Sequence, residues 1–257
     1  MTAAIHHAAA QGFASQADTY ARGRPEYPAE IDTWLRGTLG LRAGRTVLDL
    51  GAGTGKFTRR LVETGATVIA VEPVAQMRAQ LTVALPSVQA LEGSAEAIPL
   101  PDASVDAVVC AQAFHWFANA GAMAEIGRVL RPGGRLGLVW NVRDESVDWV
   151  AQLTAIMTPY EGDAPRFYKG DWKRVFPAEG FGPLALQRLP YTHVGAPQQV
   201  IVDRVMSVSF IAALPAAEQA RVRARLQAVI DGHPALAGRA EAAFPYRTEA
   251  YCCERLA

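Results

Sequence analysis

Cysteine is scarce, with three in 257 residues. Cys110 sits inside an apolar run, Cys252 and Cys253 are adjacent, and no CxxC or Cys/His ligand spacing occurs. This excludes a disulfide framework and a structural metal site, so no metal is expected, and it fits a reduced, cytoplasmic compartment. Charge of one sign is also missing: 25 Lys and Arg balance 25 Asp and Glu. A neutral chain has no long-range attraction to nucleic acid or to an anionic membrane, so neither is expected as a partner. No apolar run approaches the roughly 20 residues that span a bilayer. The opening MTAAIHHAAAQ lacks the basic start and apolar stretch of a signal peptide. There is no internal repeat and no low-complexity linker. Half of the residues are hydrophobic, and a chain of this length can bury a sizeable core in one domain.

What is present is an alternation of apolar strands and helices. Strands are expected at 46–50, 67–71, 88–91, 106–112 and 135–140, and helices at 28–39, 55–64, 74–84, 120–130 and 146–158. The strands read as near-continuous apolar runs, the pattern of strands covered on both faces by crossover helices. RPGG at 131–134 stops a helix, because proline cannot continue it and glycine supplies the turn. After Asn141 the rhythm changes. Residues 142–183 read as loop-rich, a strand follows near 184–192, two helical stretches fall at about 197–213 and 215–231, and YRTEAYCCERL is a candidate closing strand. The expected organisation is one domain: an N-terminal segment over 1–45, a core over 46–141, and a variable region over 142–257 with a helical lid inserted near 195–240.

VLDLGAGTGKFTRRL, residues 47–61, places a glycine turn between a strand and a helix. A phosphate-binding P-loop needs glycine at 50 and Ser or Thr at 57, where the chain has Leu50 and Phe57. The dinucleotide pattern needs a third glycine at 56, where Lys56 stands. The pattern that fits is G-x-G-x-G, with Gly51, Gly53 and Gly55. Positions without side chains let backbone approach a ligand closely, at the carboxyl end of a strand where open α/β sheets bind ligands. Glu72 ends the second strand, and a carboxylate there can accept the hydroxyls of an adenosine ribose.

Four stretches in order, VLDLGAGTGKFTRRL, VIAVEPVAQM, GSAEAIPLPDASVDAVVCAQAFHWF and EIGRVLRPGGRLGLVW, resemble the class I S-adenosylmethionine-dependent methyltransferases. The likeness covers roughly residues 15–141. It implies a Rossmann-like, doubly wound α/β fold: a mostly parallel, seven-stranded sheet with helices on both faces. Within that superfamily, YARGRPEYP and FHWF are similar to the small-molecule branch that includes ubiquinone-biosynthesis and trans-aconitate methyltransferases. The resemblance implies S-adenosyl-L-methionine as cofactor. Asp49, Gly51, Ala52 and Gly53 would hold its methionine part and Glu72 its ribose. Pro73 and Met77 would pack on the adenine, and Ser94, Ala95 and Glu96 would lie at its far edge. Related sequences usually have Asp where Ser94 stands. Gln112 would lie near the cofactor's centre. Tyr20, Arg24 and Tyr27 belong to a segment that folds over the cofactor in similar enzymes.

The implied activity is methyl transfer to a small organic molecule, at a carboxylate or hydroxyl oxygen. A non-catalytic S-adenosylmethionine-binding protein is the alternative. His115 is the candidate catalytic residue, either as a base or substrate contact, or as a hydrogen-bonded residue that orients its loop. Trp116 and Phe117 either wall a substrate pocket or belong to the core. Arg24 either meets a substrate anion or caps a surface carboxylate, and Tyr27 is a further substrate-side candidate. Trp149, Tyr160, Phe167, Tyr168 and Trp172 either line a pocket or build a second, smaller core, and the core is the expectation. DNA amino-methylating enzymes carry an Asn/Asp-Pro-Pro-aromatic motif where this chain reads AQAFHW. The chain is expected to act as a monomer or a homodimer.

Overall fold

The computed structural model describes residues 24–256. Tyr20, a candidate cofactor contact, lies outside the described residues. Seven strands form one sheet in the order β3-β2-β1-β4-β5-β7-β6. β1 (Thr46–Leu50), β2 (Thr67–Val71), β3 (Gln89–Leu91), β4 (Val105–Ala111) and β5 (Leu130–Arg143) run parallel. β7 (Ala242–Glu254) enters antiparallel between β5 and β6 (Ala185–Gly195). Strand order reverses between β1 and β4, and ligands of such sheets bind at that switch point, beyond the carboxyl ends of the strands.

The apolar runs bury both faces, as their composition requires. On one face Leu48, Leu50, Val108, Cys110, Leu136 and Leu138 pack with Ile126 of α4 (Ala120–Val129). On the other, Val47, Ala107, Val109 and Val139 pack with Ile31, Trp34 and Leu35 of α1 (Glu30–Gly37) and with Phe57 and Leu61 of α2 (Lys56–Val62). α3 (Ala75–Ala84) adds Leu81 to this second face. Asn119 caps α4, its side-chain oxygen accepting from the Ala122 amide at 2.9 Å.

Beyond β5 the structure refines the expected boundaries. The helix before RPGG ends at Val129, and β5 begins at the next residue. The strand passes through Gly133, whose φ of 74° lies in the left-handed region, and its pairing with β4 shifts register between Val105 and Ala107. RPGG thus lies within the strand, where glycine shapes a bulge, and the helix has already ended before it. α5 (Asp148–Met157) follows. The helical stretch expected over 197–213 is broken into a π-helical turn at Gln198–Asp203 and short turns at Arg204–Met206 and Ser209–Ala212. α6 (Ala216–Gly232) is continuous. The closing strand begins earlier than YRTEAYCCERL, at Ala242.

The β6–β7 insertion and α5 form their own core around Val200, Ile201, Val205, Leu226, Phe244 and Trp149, with Tyr160 packed against it. Trp172 is different: it is fully buried in the main core, 4.7 Å from the Trp140 ring. Phe167 also packs against the main core. The expected aromatic cluster is thus divided between the two. No helix among the described residues is long and apolar enough to cross a membrane.

Candidate active site

The glycine turn stands where β1 ends. Gly51, Gly53 and Gly55 have φ of 74°, 58° and 85°, values that ordinary side chains avoid. A Cβ at Gly51 would lie 2.8 Å from the Ala113 Cβ, whereas at Gly53 the nearest atom would be the Met77 sulfur at 4.0 Å. Gly51 therefore serves close packing, and Gly53 leaves a gap that a side chain would fill. The Glu72 carboxylate braces this turn: one oxygen accepts from the Gly53 amide at 2.9 Å, the other from the Val74 amide at 2.8 Å. Burial raises its pKa, opposed by those two bonds and by Arg78.

Asp49 is buried, and one of its oxygens accepts from the Thr58 hydroxyl at 2.6 Å. Its other oxygen has no donor among the described residues. Burial pushes its pKa up to about 7, against the Thr58 bond, with the Glu72 charge adding to the rise. Asp49 thus anchors α2 through Thr58.

Residues 24–27 cross this region as a strap. Lys56 donates to the Arg24 carbonyl at 2.6 Å, Asn141 to the Glu26 carbonyl at 2.8 Å, and Arg60 to the Tyr27 carbonyl at 3.2 Å. The Arg24 guanidinium donates to the Ser207 carbonyl of the insertion at 3.1 Å. The enclosed cavity measures about 530 Å³ out to its mouth and is lined by Asp49, Gly51, Ala52, Gly53, Tyr27 and Gln112, among others. Tyr27, a substrate-side candidate, lines this cavity, its ring edge-on to Phe57 at 4.7 Å.

The adenine-side candidates lie apart from that cavity. Ser94 pairs with Ala97 in a short bridge, and its hydroxyl has no partner among the described residues. Ala95 is buried in the main core. Glu96 accepts from the Asn119 amide nitrogen at 2.8 Å, supporting the start of α4.

A second cavity, about 750 Å³ out to its mouth, shares Arg24, Gln112 and Arg204 with the first. Gln112 has φ of 58°, a strained conformation for a residue with a side chain, and it stands at the junction. His115 and Trp116 line this second cavity, while Phe117 packs against the main core. The His115 Nδ1 accepts from the Trp140 indole N–H at 3.1 Å. Burial, helped by Arg166 and Arg24, lowers the imidazole pKa to about 3. The ring is therefore neutral and its proton sits on Nε2, which can act only as a donor.

Sequence reasoning missed Arg143, Arg166 and Arg204, which also line the second cavity. They come from the end of β5, a loop and the insertion, and no local spacing links them. The signal available was arginine in otherwise apolar surroundings: Arg204 stands in QQVIVDRVMSVSF.

The chain is similar to known methyltransferases in sequence and in fold. The methyltransferase-domain family matches residues 48–138. An uncharacterized methyltransferase of Mycobacterium tuberculosis is 46% identical over 92% of this chain and 92% of its own. A second, from Schizosaccharomyces pombe, is 39% identical over 95% of each. The chain belongs to the class I S-adenosylmethionine-dependent methyltransferases. Solved structures share the methyltransferase fold at low identity. The Bacillus subtilis YcgJ protein has a TM-score of 0.55 at 21% identity, covering 88% of this chain and 98% of that one. Haemonchus contortus phosphoethanolamine N-methyltransferase 2 was solved with phosphomonomethylethanolamine and S-adenosylhomocysteine. It has a TM-score of 0.59 at 12% identity, covering all of this chain and 61% of that one. Among the described residues, no group of three or more His, Cys, Asp or Glu is placed to hold a metal ion.

Proposed function

We propose that this methyltransferase esterifies a carboxylate of a small organic acid, with the acceptor in the cavity lined by His115, Trp116 and the arginines. The observation that carries this reading is the state of His115. Its Nδ1 is engaged by Trp140 and its pKa lies near 3, so it does not serve as a proton acceptor at neutral pH. A hydroxyl nucleophile gains from a base, whereas a carboxylate is already ionised.

The turn residues fit S-adenosyl-L-methionine. Gly53 leaves open space, Asp49 keeps an oxygen without a donor, and the Glu72 oxygens each have acceptor capacity left for ribose hydroxyls. Pro73, Met77 and Ser94 follow Glu72 on the adenine side. When bound, the cofactor supplies an electrophilic methyl group on a positively charged sulfur. The protein's own part is positioning. Gln112 stands between the two cavities, the His115 Nε2–H donates to an acceptor oxygen, and the strap covers the turn.

The test measures S-adenosylhomocysteine formation from pools of small carboxylic acids and of phenols, then steady-state kinetics of His115→Ala across pH 6–9. The expected outcome is turnover on an acid, with His115→Ala lowering kcat by roughly tenfold or less, because a hydrogen-bond donor rather than a base is lost. A loss of about a thousandfold, the scale of a missing general base, with a wild-type rate rising through a pKa of 6–7, would assign a hydroxyl acceptor.

A further inference from the structure

The second cavity carries more positive charge than its carboxylates balance. Arg143, Arg166 and Arg204 line it. Glu161 is already engaged, accepting from the Tyr168 hydroxyl at 2.6 Å and facing the Lys169 ammonium at 2.8 Å. It stands 3.7 Å from the Arg166 Nε, beyond hydrogen-bond reach. Glu145 approaches Arg143 only to 3.9 Å and is half exposed.

Arg204 is the clearest case. It is 9% exposed, and its Nε and Nη1 have no hydrogen-bond partner among the described residues. The Arg166 Nε also lacks one. A buried guanidinium with unanswered donors is costly to the fold, and such donors mark a place where an anion is received. The cations also act on one another. Burial lowers the Arg166 pKa to about 10, with Arg143 adding to the effect, Glu161 opposing it, and Arg24 and Arg204 contributing less. Burial and Arg204 lower that of Arg143.

Their placement is not uniform. Arg204 lines both cavities, whereas Arg143 and Arg166 line only the second. We propose that the acceptor carries two separate anionic groups: the carboxylate to be methylated, met by Arg204 beside the cofactor cavity, and a second anion held by Arg143 and Arg166. This inference rests on the carboxylate reading above and adds the second charge. The reaction balances without a base. A carboxylate oxygen–carbon bond forms as the sulfur–carbon bond breaks, the electron pair stays on sulfur, and no proton moves. Methylation removes the anion that faces Arg204 and leaves the second in place.

The second group is a carboxylate or a phosphate, since both suit a guanidinium fork. The experiment is calorimetric titration of the S-adenosylhomocysteine-loaded enzyme. The probes are straight-chain four- to six-carbon dicarboxylates, their monomethyl esters, and 3-phosphoglycerate. At least one dianion is expected to bind tenfold or more tightly than the matching monoanion, equivalent to about 1.4 kcal/mol. Arg166→Gln should bring the two within about twofold of each other, as expected when a charge-assisted bond is lost. The tighter of dicarboxylate and phospho-acid names the second group.

Should Arg166→Gln fail to fold, salt dependence in the wild type serves instead: dianion affinity should fall more steeply with ionic strength than monoanion affinity. Equal affinities for monoanion and dianion overturn the proposal, as does the absence of binding by every probe. Turnover of monocarboxylates as fast as of dianions would remove the second-anion inference and keep carboxyl methylation. Turnover of phenols only would remove both.

Discussion

Glu72 has one role in the fold and a second proposed in cofactor binding. It holds the Gly53 and Val74 amides, and its remaining acceptor capacity suits a ribose. Glu72→Ala removes both, and the loss of hydrogen bonds to a charged group amounts to roughly 1.5–3 kcal/mol. Calorimetric titration with S-adenosylhomocysteine should show affinity lowered about ten- to a hundredfold, and unchanged affinity in a folded variant would remove Glu72 from the site. Asp49 gives a prediction with a pH sign. Its folded pKa is raised to about 7 from 3.8, so the folded state binds a proton more readily than the unfolded chain. That contribution to stability is present below the unfolded value and is lost as pH rises through about 7. Asp49→Asn keeps an acceptor for Thr58 and never ionises. It should exceed wild-type stability at pH 8 by roughly 1–3 kcal/mol, a discounted share of the shift. Urea denaturation at intervals from pH 8 to pH 5 should show that gain shrinking as pH falls; a gain independent of pH would contradict the raised pKa.

At the scale of elements, the strap and the insertion are joined through Arg24 and Ser207. Ligand-dependent closure should therefore act on both. Adding S-adenosylhomocysteine should slow amide hydrogen exchange over residues 24–27 and 198–212 together, and Arg24→Ala should confine the slowing to the strap. Slowing of either segment alone in the wild type would show that they act separately. What was legible in the sequence divides along these elements. The core strands and the glycine turn were readable because burial on both faces and a demand for positive φ each leave a local pattern, as in TVLDL and Gly51–Gly55. Glu72 was readable because its position is set by the end of β2. The breaks at 203–204 and 207–208 were not, since no proline or glycine interrupts QQVIVDRVMSVSF and the turns follow from packing on Phe244 and Tyr246 of β7. The role of Trp140 was hidden for a similar reason. Its partner His115 lies 25 positions away and is met only across β4 and β5.

For the whole molecule, a formal net charge of zero conceals an uneven distribution. The second cavity gathers Arg143, Arg166 and the buried Arg204, while most other arginines among the described residues are paired at the surface, as Arg128 is with Asp102 and Glu125. A neutral molecule exerts little pull at long range, but a cationic cleft with low-dielectric walls focuses its field over the last few ångströms of approach. The Debye length is about 10 Å at 0.1 M salt and about 3 Å at 1 M, so added salt should weaken capture of an anionic acceptor. The methyl-transfer step inside the cavity is screened far less, since the groups involved are buried. Raising sodium chloride from 0.05 to 0.5 M should therefore raise KM for the acceptor several-fold, with kcat changed by less than about twofold. Affinity for S-adenosylhomocysteine should change less, because in the proposed site the glycine turn would meet it through backbone and carboxylates, and only Arg24 and Arg204 of the cluster border that cavity. Initial-rate kinetics at four or five salt concentrations, with calorimetry of the cofactor product beside them, make the comparison. A KM indifferent to salt would mean that the arginines serve the fold and not the capture of substrate.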